Sequence, residues 1–214
     1  MQTDMRASKN CYNIFLACMF CNNLSFQGKE IMLYIIRHGR TDWNKIHKLQ
    51  GRTDVPLNEE GRKMAEDARL RYENVHFDVC YCSPLSRAKE TAQILLRGRN
   101  VPVFYDERLI EMSFGNYEGT ENCLEKGKDT PLGILFFNPG EFKGLEGGET
   151  FDQLFERTGS FLKEVALPLV KQGKDVLIVG HGAMNSSIVC QIMNKPRSEF
   201  WSLSIKNCEL HKLI

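Results

Sequence analysis

Apolar positions along this chain fall into short continuous runs and into stripes that repeat about every three and a half residues. Leu33 to Ile36 is an apolar, β-branched run too short for a helix, and it predicts a buried strand. Thr41 to Lys48 predicts a short helix or turn, followed by a loop over Gln50 to Asp54. Asn58 is a predicted N-cap with Glu59 and Glu60 suited to the positive helix end, and the helix runs to about Tyr72. It should bury Met64, Ala65, Ala68 and Leu70 or Tyr72, with Arg62, Lys63, Glu66, Asp67 and Arg69 on a solvated face. Phe77 to Cys82 predicts the next strand, and Ser83-Pro84 predicts a helix start, Ser at the N-cap and Pro at the first helical position. That helix carries Arg87 near its beginning and packs through Ala88, Ala92, Ile94, Leu95 and Leu96, and Val101 to Tyr105 is a third short strand.

From Thr120 to Gly148 the periodicity fades among glycines and scattered aromatics (Phe136, Phe137, Phe142). An irregular aromatic insertion of this kind reads equally as a lid over a binding site and as a small packed subdomain. Thr150-x-x-Gln153 is a capping box, and Phe151, Leu154, Phe155, Thr158, Phe161, Leu162 and Val165 trace one helical face behind it. Gly173 ends that helix. Val176 to Val179 is a second wholly apolar strand, a helix follows His181-Gly182, and a last strand lies near Cys208 to Leu213. The alternation predicts an α/β protein, a three-layer α/β/α sandwich with a mostly parallel central sheet and an irregular, lid-like insertion at about 120–148.

The core of that domain is expected to span residues 32–214, with residues 1–31 as an N-terminal extension outside it. Arg6 and Lys9 ahead of the apolar run Tyr12 to Phe20 loosely suggest a signal peptide, but the run is short, is broken by Asn13 and lacks a small-x-small cleavage site. Lys29-Glu30-Ile31-Met32 back-translates to a ribosome-binding sequence ahead of a start codon, which makes Met32 the expected natural start. The extension should be poorly packed on the domain, or helical only by local propensity.

Composition narrows the partners. A net charge of +1 over 214 residues argues against a broad nucleic-acid or membrane surface but permits a local basic pocket. The eight cysteines form neither a zinc spacing nor a disulfide framework, so Cys80, Cys82, Cys123, Cys190 and Cys208 read as reduced thiols of a cytoplasmic protein.

Two strands each deliver a His-Gly pair, His38-Gly39 and His181-Gly182, to their carboxyl ends, the edge where open α/β sheets bind ligands. A phosphoryl group needs fixed cationic donors, and guanidinium presents a planar fork that matches it. Arg37 sits at a strand end and Arg87 in the first turn of a helix, where backbone N–H groups also favour anions. A neutral imidazole at His38 could then act as nucleophile, with His181 bonding the phosphoryl oxygens from the opposite strand. The leaving alkoxide needs a proton, and Glu111, just past a strand end, is the best-placed carboxyl group. Zinc held by His38 and His181 ranks below phosphate, because two adjacent arginines repel a metal and no third ligand stands at a diagnostic spacing.

Four motifs then stand in order: Ile35-Ile36-Arg37-His38-Gly39 with Asn44, Ser83-Pro84-Leu85-Ser86-Arg87-Ala88-x-x-Thr91-Ala92, Glu111-x-x-Phe114-Gly115-x-x-Glu118-Gly119, and Gly180-His181-Gly182. Together they resemble the histidine phosphatase (phosphoglycerate mutase-like) superfamily over essentially all of 32–214. The resemblance implies that His38 becomes a phosphohistidine, with Arg37, Arg87 and His181 completing the phosphate pocket and Glu111 serving as acid and later as base. It further implies Asn44 as a phosphate contact, Gln50, Gly51 and Gly182 on the substrate side, and no metal or other cofactor.

Phosphoglycerate mutases of that superfamily carry extra basic residues in the insertion, whereas this one offers only Lys126, Lys128 and Lys143, and Arg40 stands where mutases usually have Glu. Gly147-Gly148-Glu149-Thr150 is similar to the phosphatase branch. The expectation is a histidine acid phosphatase-type phosphomonoesterase that releases inorganic phosphate from a small phosphorylated metabolite. A mutase and a non-catalytic phospho-ligand binder are the alternatives. The aromatic insertion hints at a leaving group with apolar surface, while a sugar phosphate and a nucleoside phosphate such as α-ribazole phosphate stay open.

Overall fold

The structure, a computed structural model, describes residues 32–125 and 127–214 and the backbone of residues 25–26 and 29–30. Of the expected extension, only those four residues are described: Ser25–Phe26 (β1) pairs antiparallel with Lys29–Glu30 (β2). The expectation of loose or helical packing over residues 1–24 lies outside the described residues.

Five strands form the central sheet in the order β5-β4-β6-β3-β7. They are β3 (Leu33–Arg37), β4 (Val79–Cys82), β5 (Val103–Tyr105), β6 (Val176–Gly180) and the edge strand β7 (Leu210–Lys212). β3, β4, β5 and β6 run parallel and β7 is antiparallel to β3. Parallel strands buried on both faces read as continuous apolar runs, which is why Leu33–Ile36 and Val176–Val179 lack polar alternation.

The strand residues divide between two apolar layers. Leu33, Ile35, Val176 and Ile178 face the helices α5 (Phe151–Phe161), α6 (Leu167–Lys171) and α7 (Gly182–Ile192). Ile36, Cys80, Cys82, Leu177 and Val179 face α2 (Glu59–Arg71) and α3 (Ser86–Leu95). The result is a helix–sheet–helix sandwich. The Thr150–Gln153 capping box starts α5, and a π turn over Leu162–Ala166 carries the helix on into α6, where Pro168 lacks the N–H that a regular helix interior would use. Among the described residues no helix is long and apolar enough to cross a membrane.

Of the alternatives Leu70 and Tyr72, Tyr72 is the one that packs on the second apolar layer, with Met64, Ala65 and Ala68, while Leu70 is 55% exposed. One local expectation needs correction. Ser83 does not cap a helix at Pro84: α3 begins at Ser86 with Leu85 as its N-cap residue. Leu85 N–H does bond Ser83 Oγ at 3.3 Å, but that hydroxyl also meets His181 Nε2 at 2.6 Å, so the Ser-Pro step is a turn that supports an imidazole.

The segment 120–148 packs. It holds the short helix α4 (Pro131–Phe137), and Leu132, Leu135, Phe142 and Leu145 join Phe151, Leu154 and Phe200 in a third apolar cluster. Phe151 stacks on Phe200 at 4.3 Å, and Trp201 Nε1–H donates to Leu135 O at 2.8 Å, which ties the insertion to the segment before β7.

Candidate active site

Register brings the two histidines together. In the parallel β3–β6 pair Arg37 lies opposite Gly180, and His38 N–H continues the ladder to Gly180 O at 2.9 Å. The next residue on each strand is therefore a histidine, and the two rings stand 5.1 Å apart between centroids. Gly39 is required by close packing, since a Cβ there would lie 2.5 Å from Gly61 O at the start of α2.

His38 is 3% exposed, and its Nδ1 lies 2.7 Å from Gly39 O. A carbonyl only accepts, so Nδ1 carries the proton and Nε2 of the neutral ring keeps its lone pair. Burial, then the charges of Arg87 and Arg37, push the His38 pKa well below the usual 6.5. His181 is fully buried, and burial followed by Arg87 and His38 lowers its pKa likewise. Its Nε2 is held by Ser83, while its Nδ1 has no hydrogen-bond partner.

Both rings stay neutral in the fold, whereas in the unfolded chain each takes a proton near 6.5. Below that value the unfolded chain binds more protons, so stability is full above about pH 6.5 and falls as pH drops toward the lowered folded values. Urea unfolding at about pH 5.5 should therefore give a lower midpoint than at about pH 7.5, and the gap should shrink in a His38→Ala/His181→Ala double variant. A gap of unchanged size would assign the acid sensitivity to other groups.

Arg87 is 1% exposed and is aimed by two carbonyls: its two terminal nitrogens donate to Thr53 O at 2.9 Å and Gly51 O at 2.7 Å. Arg37 donates to Ile205 O at 3.4 Å. Burial lowers the pKa of both arginines, and the carboxylate of Glu111 opposes that shift. Their Nε atoms, like His181 Nδ1, are buried without a partner. Two guanidiniums with unpaired donors, beside two neutral imidazoles, suit an anion with several oxygens.

Glu111 is 7% exposed and sits at the N-terminus of α7. Its Oε1 accepts from Met112 N at 2.8 Å and Met184 N at 2.9 Å, and its Oε2 from Ala183 N at 3.2 Å. The chain just before Glu111 is held by Arg157, whose guanidinium donates to Ile110 O at 2.7 Å and to Glu149 through both Nε (2.6 Å) and a terminal nitrogen (2.9 Å). The Gly147-Gly148-Glu149 segment thus acts on the site through Arg157.

Eight of the nine residues expected from sequence line one cavity of about 500 Å³: Arg37, His38, Asn44 and Arg87, together with Gln50, Gly51, Glu111 and Gly182. His181 is not among the lining residues, but its ring lies beside that of His38, 5.1 Å between centroids. Asn44 Oδ1 closes the Thr41 capping box of the short helix α1 (Asp42–Lys45), and Gln50 Oε1 accepts from Thr41 Oγ1 at 3.0 Å, so both side chains are held before any ligand arrives.

Phe136 and Phe137 of the aromatic insertion line the cavity, as the lid reading expected, and sequence reasoning missed the rest of the wall: Arg40, His47, Lys48, Leu124 and Trp201. Arg40 is paired with Glu60 at 2.5 Å and Lys48 with Glu121 at 3.4 Å. Asn207 also lines it and donates to His38 O at 2.6 Å, and Thr91 Oγ1 accepts from Gly39 N at 3.0 Å. Thr91 stood within a motif already singled out, but Asn207 carries no local signal.

Comparison with known proteins shows the family. A family model described as the histidine phosphatase superfamily, branch 1, matches residues 33–214. Phosphoserine phosphatase 1 of Hydrogenobacter thermophilus is 30% identical over 180 residues, covering 83% of each chain. The 2,3-bisphosphoglycerate-dependent phosphoglycerate mutase of Cytophaga hutchinsonii is 31% identical over 153 residues, 71% of this chain and 72% of the mutase. Among solved structures, Bacillus stearothermophilus YhfR superposes with a TM-score of 0.75 at 29% identity, covering 85% of this chain and 90% of that one.

Proposed function

The chain belongs to the histidine phosphatase superfamily, and from that premise we propose that it is a phosphomonoesterase working through a phosphohistidine on a small phosphorylated metabolite. The observation that carries the reading is the neutral His38 ring, with Nδ1 committed to Gly39 O and Nε2 free, set between Arg37 and Arg87. The phosphoryl oxygens sit on both guanidiniums, Asn44 and His181. His38 Nε2 attacks phosphorus, the P–O bond to the leaving group breaks, and Glu111 hands a proton to the departing oxygen. Water then attacks the phosphohistidine, the P–N bond breaks, the carboxylate of Glu111 takes the proton from water, and inorganic phosphate leaves.

Hydrolysis is favoured over transfer to a second hydroxyl because part of the cavity wall is apolar, and because the wall's Arg40 and Lys48 already have carboxylate partners. The apolar part, Leu124, Phe136, Phe137 and Trp201, supports a leaving group with apolar surface. Residues 32–214 form the catalytic unit in this reading, with residues 1–31 as an extension. Five buried free thiols support a cytoplasmic location.

The test is turnover of p-nitrophenyl phosphate in EDTA, beside 3-phosphoglycerate with and without the bisphosphate. Metal-independent hydrolysis supports the phosphatase, bisphosphate-stimulated isomerisation supports a mutase, and phosphate binding without turnover supports a binder. Glu111→Gln should cost about 10²–10⁴-fold on an alkyl phosphate but much less on p-nitrophenyl phosphate, whose leaving group needs little protonation. Equal losses on both substrates would remove Glu111 as the acid.

A further inference from the structure

Glu118 lies outside the phosphate pocket, yet its carboxylate gathers four donors. Oε1 accepts from Arg52 N at 2.9 Å and Phe114 N at 3.1 Å. Oε2 accepts from Thr53 N at 2.9 Å and Thr53 Oγ1 at 2.6 Å. One carboxylate thereby clamps the loop Gln50–Thr53 to the loop after Glu111. The clamp is tight: Gly51 has φ +61°, and a Cβ there would collide with Glu118 Oε1. The clamped loop is the one whose carbonyls, Gly51 O and Thr53 O, accept from the two terminal nitrogens of Arg87.

We propose that Glu118 is a positioning residue for Arg87: by holding Gly51 and Thr53 it sets the direction in which the buried guanidinium faces the phosphoryl group. A chain of hydrogen bonds runs from carboxylate to loop backbone, from loop carbonyls to guanidinium, and from guanidinium to substrate. A guanidinium turned by a small angle loses its match to the phosphoryl oxygens, because the fork is planar and its donors are fixed. Other contacts keep the loop folded without Glu118. Gly119 N donates to Leu49 O at 2.8 Å, Leu49 N to Thr120 O at 2.9 Å, and Ser86 N to Asp54 Oδ1 at 2.9 Å. What Glu118 adds is precision at Gly51 and Thr53.

This role rests on the phosphatase reading above, and a double-mutant cycle separates the two. With p-nitrophenyl phosphate, Glu118→Ala is expected to lower kcat/KM about 10–100-fold in the otherwise unchanged enzyme but about 3-fold or less in the Arg87→Ala background. Glu118→Gln should fall between Ala and Glu, since its amide keeps an acceptor for one pair of donors only. Inhibition by inorganic phosphate should weaken in parallel, while circular dichroism stays unchanged. A merely structural Glu118 would cost the same in both backgrounds, and that result, or near-normal turnover of Glu118→Ala, overturns the proposal. Wild-type turnover by Arg87→Ala would instead overturn the phosphatase site itself. If Glu118→Ala does not fold, Thr53→Val removes one of the four bonds with little change of volume and supplies the same cycle.

Discussion

His38→Ala is expected to lower kcat/KM by at least about 10³-fold, because it removes the proposed nucleophile to which the phosphoryl unit is transferred. The ring is prepared for that task by its surroundings. Gly39 O holds the Nδ1 proton, so the lone pair of Nε2 is the one left available. Burial and the two arginines disfavour the imidazolium, and the same positive charge attracts the incoming phosphoryl oxygens. The two arginines thus add to the effect of burial against the proton and at the same time attract the anion. Acid-quenched or base-quenched samples taken during turnover of a labelled substrate should differ: the label on the wild-type protein survives base and is lost in acid, as a P–N bond requires. His38→Ala should carry none. Label retained by the variant would place the nucleophile elsewhere. The fold should survive, since the change leaves one carbonyl without its partner, a cost of about 1–3 kcal/mol.

Arg87→Ala comes second, with an expected loss of about 10²–10³-fold in kcat/KM from removing a preorganised donor set where charge develops. Arg87→Lys should recover little. An ammonium on a flexible stem carries the charge but cannot bond Gly51 O, Thr53 O and a phosphoryl group together. Inhibition by inorganic phosphate, measured alongside, should weaken in both variants. A lysine variant with near-normal rates would mean that charge alone is needed at this position, and it would remove the geometric argument for the fork.

These two residues also show how far a one-dimensional reading reaches. Arg87 is visible because it stands in the first turn of a helix and off any solvated stripe, and His38 because an apolar strand ends on it. Glu118 was quoted within a motif, but nothing local says that its carboxylate meets Thr53 and Arg52 across more than sixty residues of chain. Ser83 misleads in an instructive way, because Ser-Pro after a strand is a helix-start signal whatever the hydroxyl goes on to bond. Its true partner, His181, lies 98 residues away. Leu70 and Tyr72 make a related point: helical periodicity offers both as rim residues, and only the contact with the sheet selects Tyr72.

The sequence by itself determined the elements and most of the candidate site residues. Continuous apolar runs and a period of about three and a half record burial directly, so the strands and the amphipathic helices could be read from them, and the Thr150 capping box from its own spacing. The strand-end positions of Arg37, His38 and His181 followed from those same runs. Strand order was decided only in three dimensions, where β6 inserts between β3 and β4 and aligns Arg37 with Gly180. The cavity wall beyond the phosphate pocket was decided there too. Arg40, Lys48, Phe137, Trp201 and Asn207 come from separate segments whose convergence depends on packing across the sheet edge. Local patterns encode which way a side chain faces its own element, and the neighbours it meets are set by how the elements pair.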